Sequence, residues 1–145
     1  MFNQIAQTIP YQQITVEGFE ISIKRLDLVH PHISGNKFFK LKYNLLAARQ
    51  QGYKKLLTFG GAYSNHIAAT AYAAQLFGFE SLGIIRGEEL ASKPLNLTLN
   101  TAQQFGMQLQ FVMRETYRQK QSPAYLAQLQ QDYPEYYVIP EGGTN

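Results

Sequence analysis

Two segments of this 145-residue chain carry side chains able to attack a carbonyl and to hold an anion beside it. The first is Ser34-Gly35-Asn36-Lys37-Phe38-Phe39-Lys40-Leu41. A lysine amine attacks a carbonyl only when neutral, and its ordinary pKa of about 10.4 means that burial or nearby cations must free it near pH 7. Lys40 follows three residues later and Asn44 seven, so all three fall near one face of a helix. Lys40 would depress the Lys37 amine and could itself hold a phosphate. The plainer alternative is a solvated basic face, since lysines three apart are common on helix surfaces.

The second segment is Thr58-Phe59-Gly60-Gly61-Ala62-Tyr63-Ser64-Asn65-His66. Paired glycines let the backbone turn sharply and approach a ligand closely. Exposed N–H groups at the start of the following helix form an anion site, helped by the helix dipole. Ser64 could be a nucleophile or donor, Asn65 could contact a ring hydroxyl, and His66 could relay a proton. Here the plainer alternative is a serine N-cap after a tight strand-to-helix turn. His30 and His32 flank Pro31 without metal-ligand spacing and read as a surface loop. Tyr133, Tyr136 and Tyr137 read as packing.

The elements around these segments follow from periodicity. Phe19-Glu20-Ile21-Ser22-Ile23-Lys24 alternates apolar with polar, which suits a half-buried strand after a turn at Glu17-Gly18. Phe38, Leu41, Leu45 and Ala48 recur at helical spacing, with Ser34 able to cap and Gly52 closing the helix. Lys55 to Phe59 reads as a strand ending at Gly60-Gly61. Ser64 to Phe77 is a helix apolar or small on nearly every side, which implies burial on both sides. Ser81–Arg86 is a strand, Leu95–Phe105 a helix, Met107–Val112 a strand, Ala124–Gln131 a helix introduced by Ser122-Pro123, and Tyr136–Ile139 a strand. Strands alternating with helices predict an α/β fold in three layers, a parallel twisted sheet with flanking helices. Ligands then bind outside the carboxyl ends of the strands, where Gly60 to His66 lies.

Composition narrows the class. At 145 residues and 45% hydrophobic the chain supports one ordinary core. The formal charge of +3 comes from scattered lysines and arginines, which argues against a nucleic-acid partner. There is no cysteine, so disulfides and thiolate metal sites are excluded. No basic, apolar leader opens the chain, and no apolar run reaches the ~18 residues of a membrane span. A cytoplasmic protein with no membrane or metal is expected.

Gly35-Asn36-Lys37 with Lys40-Leu41, then Thr58 to His66, then Val138-Ile139-Pro140-Glu141-Gly142-Gly143, together resemble the 1-aminocyclopropane-1-carboxylate deaminase/D-cysteine desulfhydrase family. That family is pyridoxal-phosphate-dependent and has the tryptophan-synthase β-subunit type of fold (fold type II). The resemblance implies that Lys37 carries pyridoxal 5'-phosphate covalently and that Lys40 lies near its phosphate. It implies that Ser64, Asn65 and His66 receive the substrate carboxylate, with Ser64 also catalytic and Asn65 also bordering the cofactor ring. His66 stands where the deaminases proper have glutamine, which tilts the reading toward D-cysteine desulfhydrases. The implied activity is deamination or desulfhydration of a small amino acid to a 2-oxo acid and ammonia, in a homodimer. Family members are considerably longer than this chain, which stops in what reads as mid-loop at Glu141-Gly142-Gly143-Thr144-Asn145. Residues 1–33 are then expected to belong to a larger, mostly absent domain, 34–140 to the small parallel domain, and 141–145 to the connection onward. The competing readings are a non-catalytic truncated remnant that self-associates, and a nucleotide-binding domain using Gly60-Gly61. The latter lacks G-x-G-x-x-G and a Walker lysine.

Overall fold

The chain begins with a β-hairpin, β1 (Tyr11–Val16) paired antiparallel with β2 (Phe19–Lys24). The structure is a computed structural model and describes residues 1–143. Thr144 and Asn145, the end of the expected 141–145 connection, lie outside the described residues. Glu17 and Gly18 close the hairpin with φ of 49° and 81°. Two left-handed residues match the twist of the flanking strands, so the two-residue loop is favoured. Only β2 was legible beforehand, because Tyr11-Gln12-Gln13 hides the alternation of β1. The expected half-burial of β2 is also corrected: all six of its residues are exposed. The register places Ile14 opposite Ile21, Val16 opposite Phe19 and Gln12 opposite Ile23, while Gln13–Ser22 and Thr15–Glu20 share the other side. One face of the ribbon is therefore apolar and open, with Phe19 74% and Val16 47% exposed.

His30 is a second correction. It is buried, and its Nδ1 accepts the backbone N–H groups of His32 and Ile33 at 3.1 and 3.2 Å. The ring thus satisfies a local turn in place of a surface loop, while His32 stacks on Tyr72 with centroids 4.4 Å apart. No cluster of metal-ligating side chains occurs among the described residues.

The remaining chain forms the predicted α/β unit. It runs α1 (Asn36–Gln50), β3 (Lys55–Gly60), α2 (Asn65–Phe77), β4 (Glu80–Arg86), α3 (Leu97–Gln104), β5 (Met107–Val112), α4 (Arg114–Arg118), α5 (Pro123–Asp132) and β6 (Tyr136–Ile139). The short α4 was not anticipated; five residues are too few to show a period. Gly35, at φ 62°, takes the N-cap position of α1 that Ser34 was expected to hold. A side chain at that angle would be strained, so glycine is required.

The four strands are parallel in the order β5-β4-β3-β6. Alternate residues feed two layers, as the strand period of two dictates. Leu56 and Ile139 pack under α1 and α2, Ile85 and Met107 under α2 and α3, and Leu57, Phe59, Leu82 and Ile84 against Tyr117 of α4 and Leu129 of α5. The three-layer expectation is borne out. α2 is buried through His66, Ile67, Ala69, Thr70, Ala71, Ala73 and Ala74, as its nearly unbroken small and apolar sequence required.

The chain leaves β3 toward β4 on one side and returns as β6 on the other. The ends of β3 and β6 therefore flank the point where strand order reverses, and a parallel sheet opens a crevice there. No described helix is long and apolar enough to cross a membrane.

Candidate active site

Both chemistry-bearing segments arrive at this crevice. α1 presents Lys37 from its first turn, and its amine lies 3.4 Å from Gly142 O, in the short turn (Glu141–Gly143) that follows β6. Burial, and secondarily the charge of Lys40, hold the Lys37 amine below the ordinary lysine range. Lys37 and Lys40 are half-buried, and Asn44 is 1% exposed. The alternative of a solvated basic face is thus overturned: this side of α1 turns inward onto the turn after β6.

That turn is held at both ends. Asn44 Nδ2 donates to Gly143 O at 3.1 Å and to Lys40 O at 2.9 Å. Tyr117 donates to Glu141 Oε1 at 2.6 Å, while Lys120 Nζ reaches Oε2 at 3.1 Å and sits over the Tyr117 ring at 4.6 Å. These contacts keep the Glu141 carboxyl below its usual range despite burial. Gly142 O, between two anchored neighbours, is a preset acceptor facing Lys37. Gly143 has no room for a side chain that keeps its neighbours in place, because an added Cβ would lie 3.1 Å from Lys40 Cβ.

Across the cleft, Ser64 occupies the N-cap of α2, yet its hydroxyl makes no capping hydrogen bond. The backbone N–H groups of Asn65 and His66 have no partner among the described residues. An unspent hydroxyl and two amides without a described partner stand at the positive end of a 13-residue helix, where donors of this kind can meet an anion. Lys37 and Asn65 line one hollow of about 430 Å³, together with Ser34, Gly35, Asn36 and His32. Asn65 is exposed into it.

Gly60 serves packing rather than ligand approach. An added Cβ would lie 2.3 Å from Ile67 Cγ1. Its glycine lets the first turn of α2 sit directly on the strand end. His66 departs furthest from its expected role. The ring is 3% exposed and faces inward, with Nε2 2.8 Å from Thr58 Oγ1, so it does not line the hollow. Burial first, then the charge of Lys37, push its pKa down to about 4. A ring kept neutral and out of the cleft is a poor proton relay.

Asn44 and Thr58, which lie on the two marked segments, serve as supports, whereas Tyr117 and Lys120 carry no local signal of that role. Arg86, at the end of β4, places a guanidinium 3.8 Å from where a Gly61 Cβ would be, so it borders the same loop. A basic residue ending a predicted strand would have been the signal for it. A second hollow of about 440 Å³ opens beyond Arg86, away from Lys37.

The donor set suits an aldehyde at Lys37 and an α-carboxylate at α2, and the comparisons point the same way. No family model matches the chain. A putative 1-aminocyclopropane-1-carboxylate deaminase of Thermotoga maritima is 35% identical over 130 residues, covering 88% of this chain and 41% of the relative. A mitochondrial bifunctional D-cysteine desulfhydrase/1-aminocyclopropane-1-carboxylate deaminase of Arabidopsis thaliana is 33% identical over 135 residues, 88% of this chain and 34% of its own length. A crystal structure of a 1-aminocyclopropane-1-carboxylate deaminase homologue superposes with a TM-score of 0.75 at 28% identity, over 96% of this chain and 43% of that one. By sequence and by fold, the chain is related to the 1-aminocyclopropane-1-carboxylate deaminase/D-cysteine desulfhydrase family. It spans about two fifths of the length of such relatives.

Proposed function

We propose that this chain supplies the lysine-bearing and carboxylate-binding part of a pyridoxal 5'-phosphate enzyme acting on a small amino acid. The substrate class is D-cysteine or 1-aminocyclopropane-1-carboxylate. D-Cysteine and water would give pyruvate, ammonia and hydrogen sulfide; the cyclopropane amino acid and water would give a 2-oxo acid and ammonia. The observation that carries this reading is a half-buried amine with a lowered pKa, sharing one hollow with Asn65 at the start of α2.

When bound, the cofactor supplies the electron sink that labilises bonds at the substrate α-carbon. Lys37 would be the attachment point, and its amine, facing Gly142 O, would be the group placed to take or return a proton at that carbon. Burial, and then the charge of Lys40, lower its pKa, which favours the neutral amine such a role requires. Gly142 O orients the amine from behind. Lys40, one turn on from Lys37, places positive charge where a phosphate would be held. The Asn65 and His66 amides and the Ser64 hydroxyl would hold the carboxylate, and the Asn65 side chain would border the ring.

The domain reading belongs to the same proposal. Residues 34–140 form the small domain; of residues 1–33, expected to belong to the larger domain, Phe2, Val29 and Ile33 are instead buried against α1 and α2, and the open apolar face of the hairpin is what remains to pack on a larger domain reached through 141–145. A cytoplasmic homodimer is part of it. The bare hairpin face also favours a second reading, a non-catalytic remnant that self-associates through it. Turnover separates the two, since a remnant yields no 2-oxo acid.

The test is covalent trapping. Pyridoxal phosphate followed by borohydride should leave one adduct, mapped to Lys37 by peptide mass and absent in Lys37→Ala. Label spread over several lysines, or unchanged by that substitution, would refute the assignment.

A further inference from the structure

The hydrogen bonds around His66 fix its tautomer. Thr58 Oγ1 lies 3.0 Å from Ile139 O and 2.8 Å from His66 Nε2. A carbonyl only accepts and a hydroxyl has one proton, so the Thr58 proton goes to Ile139. Nε2 must then carry its own hydrogen and donate it to the hydroxyl. In a neutral ring this leaves Nδ1 as a bare acceptor, and Nδ1 has no partner among the described residues. It faces the turn after β6: a Cβ on Gly143 would sit 3.4 Å from Cε1 and 3.8 Å from Nδ1. Carboxylates and phosphates are acceptors too, so this lone pair repels both. Charging the ring is opposed by burial and by Lys37 and Lys40, and only Glu141 favours it.

We propose that His66 is a positioning residue, a neutral Nε2–H imidazole joining the start of α2 to β3, β6 and the Gly142–Gly143 turn. It thereby sets Lys37's carbonyl partner in register with the anion-binding helix start. Its ring contacts neither substrate nor cofactor. The meaning of that register rests on the function proposed above, whereas the tautomer and its packing do not.

The experiment uses the full chain without cofactor. Two-bond proton–nitrogen spectra of the imidazoles should show His66 as the Nε2–H form throughout pH 5 to 8. Competitive acetylation across pH, read by mass spectrometry, gives the midpoint of the Lys37 amine. His66→Gln can donate to Thr58 from its nitrogen and accept with its oxygen, so that midpoint should stay within ~0.3 units. His66→Leu loosens the turn and hydrates the amine, moving it up by about half a unit or more. An Nδ1–H signal, a His66 titration above pH 6, or identical Lys37 midpoints in the two variants would overturn the proposal. Should His66→Leu fail to fold, the spectra and the His66→Gln midpoint still decide. Failure of Lys37 to take pyridoxal phosphate would sink the enzyme reading and leave these results unaffected.

Discussion

Replacing Gly60 with alanine should damage this protein well beyond the addition of one methyl group. The new Cβ would meet Ile67 Cγ1 at 2.3 Å, Ile67 Cδ1 at 2.9 Å and Ser64 Cβ at 3.0 Å. Carbon atoms rest at about 3.5–4.0 Å, so Ile67 would have to withdraw by more than ~1 Å. It has nowhere to go: it is 0% exposed, clustered with Ile85, Leu99 and Met107. Overpacking of this kind costs about 1–3 kcal/mol, and both sources of the clash lie on one rigid turn, so the upper half of that range is expected. For a domain near this size the melting temperature should fall by about 5–10 °C. Ile67→Ala alone should cost ~2–5 kcal/mol through its cavity. The double variant removes the Cγ1 that clashes, so it should be no less stable than Ile67→Ala, a coupling of about 2 kcal/mol. Urea unfolding followed by circular dichroism measures all four proteins. A Gly60→Ala cost under ~0.5 kcal/mol, or simple additivity in the double variant, would refute the packing argument.

Three further outcomes are expected. His66 has its pKa lowered from 6.5 to about 4, so on acidification the unfolded chain takes up the proton first. The stability of the neutral ring is complete above pH 6.5 and is lost as the pH falls toward 4, by about 3 kcal/mol. His66→Gln should lack that component, and an equal urea midpoint difference at pH 7 and pH 4.5 would contradict it. Tyr117→Phe removes the 2.6 Å bond to Glu141 and leaves Lys120 as its charged partner. It should cost ~1.5 kcal/mol, measured calorimetrically, and no change would mean that the turn is not anchored there. Phe19→Lys with Ile21→Lys charges the open hairpin face and should leave stability within ~0.5 kcal/mol. Sedimentation velocity should show less self-association, and unfolding instead would mean that this face packs within the chain.

The order of strands and helices from Asn36 to Ile139 was readable because local signals agree with each other. Gly52, Gly78 and Gly106 stop helices in left-handed conformations, β3 and β4 are short apolar runs between them, and β6 is another farther on. Lys37 and Ser64 could be named because a lysine after Gly-Asn and a serine after paired glycines are chemical types at local spacing. Local pattern failed where an element was short or its alternation interrupted, as in α4 and β1. It also failed for orientation. His66 was expected in the cleft and lies beneath it; Lys37 and Lys40 matched a solvated face and turn inward. Those outcomes depend on partners far along the chain, since Lys37 meets Gly142 105 positions away, Asn44 meets Gly143 at 99 and Thr58 meets Ile139 at 81. Backbone preference and hydrophobic period act over a few residues, and so they specify which element forms. The side of a helix that loses its water is settled only when another element arrives to cover it.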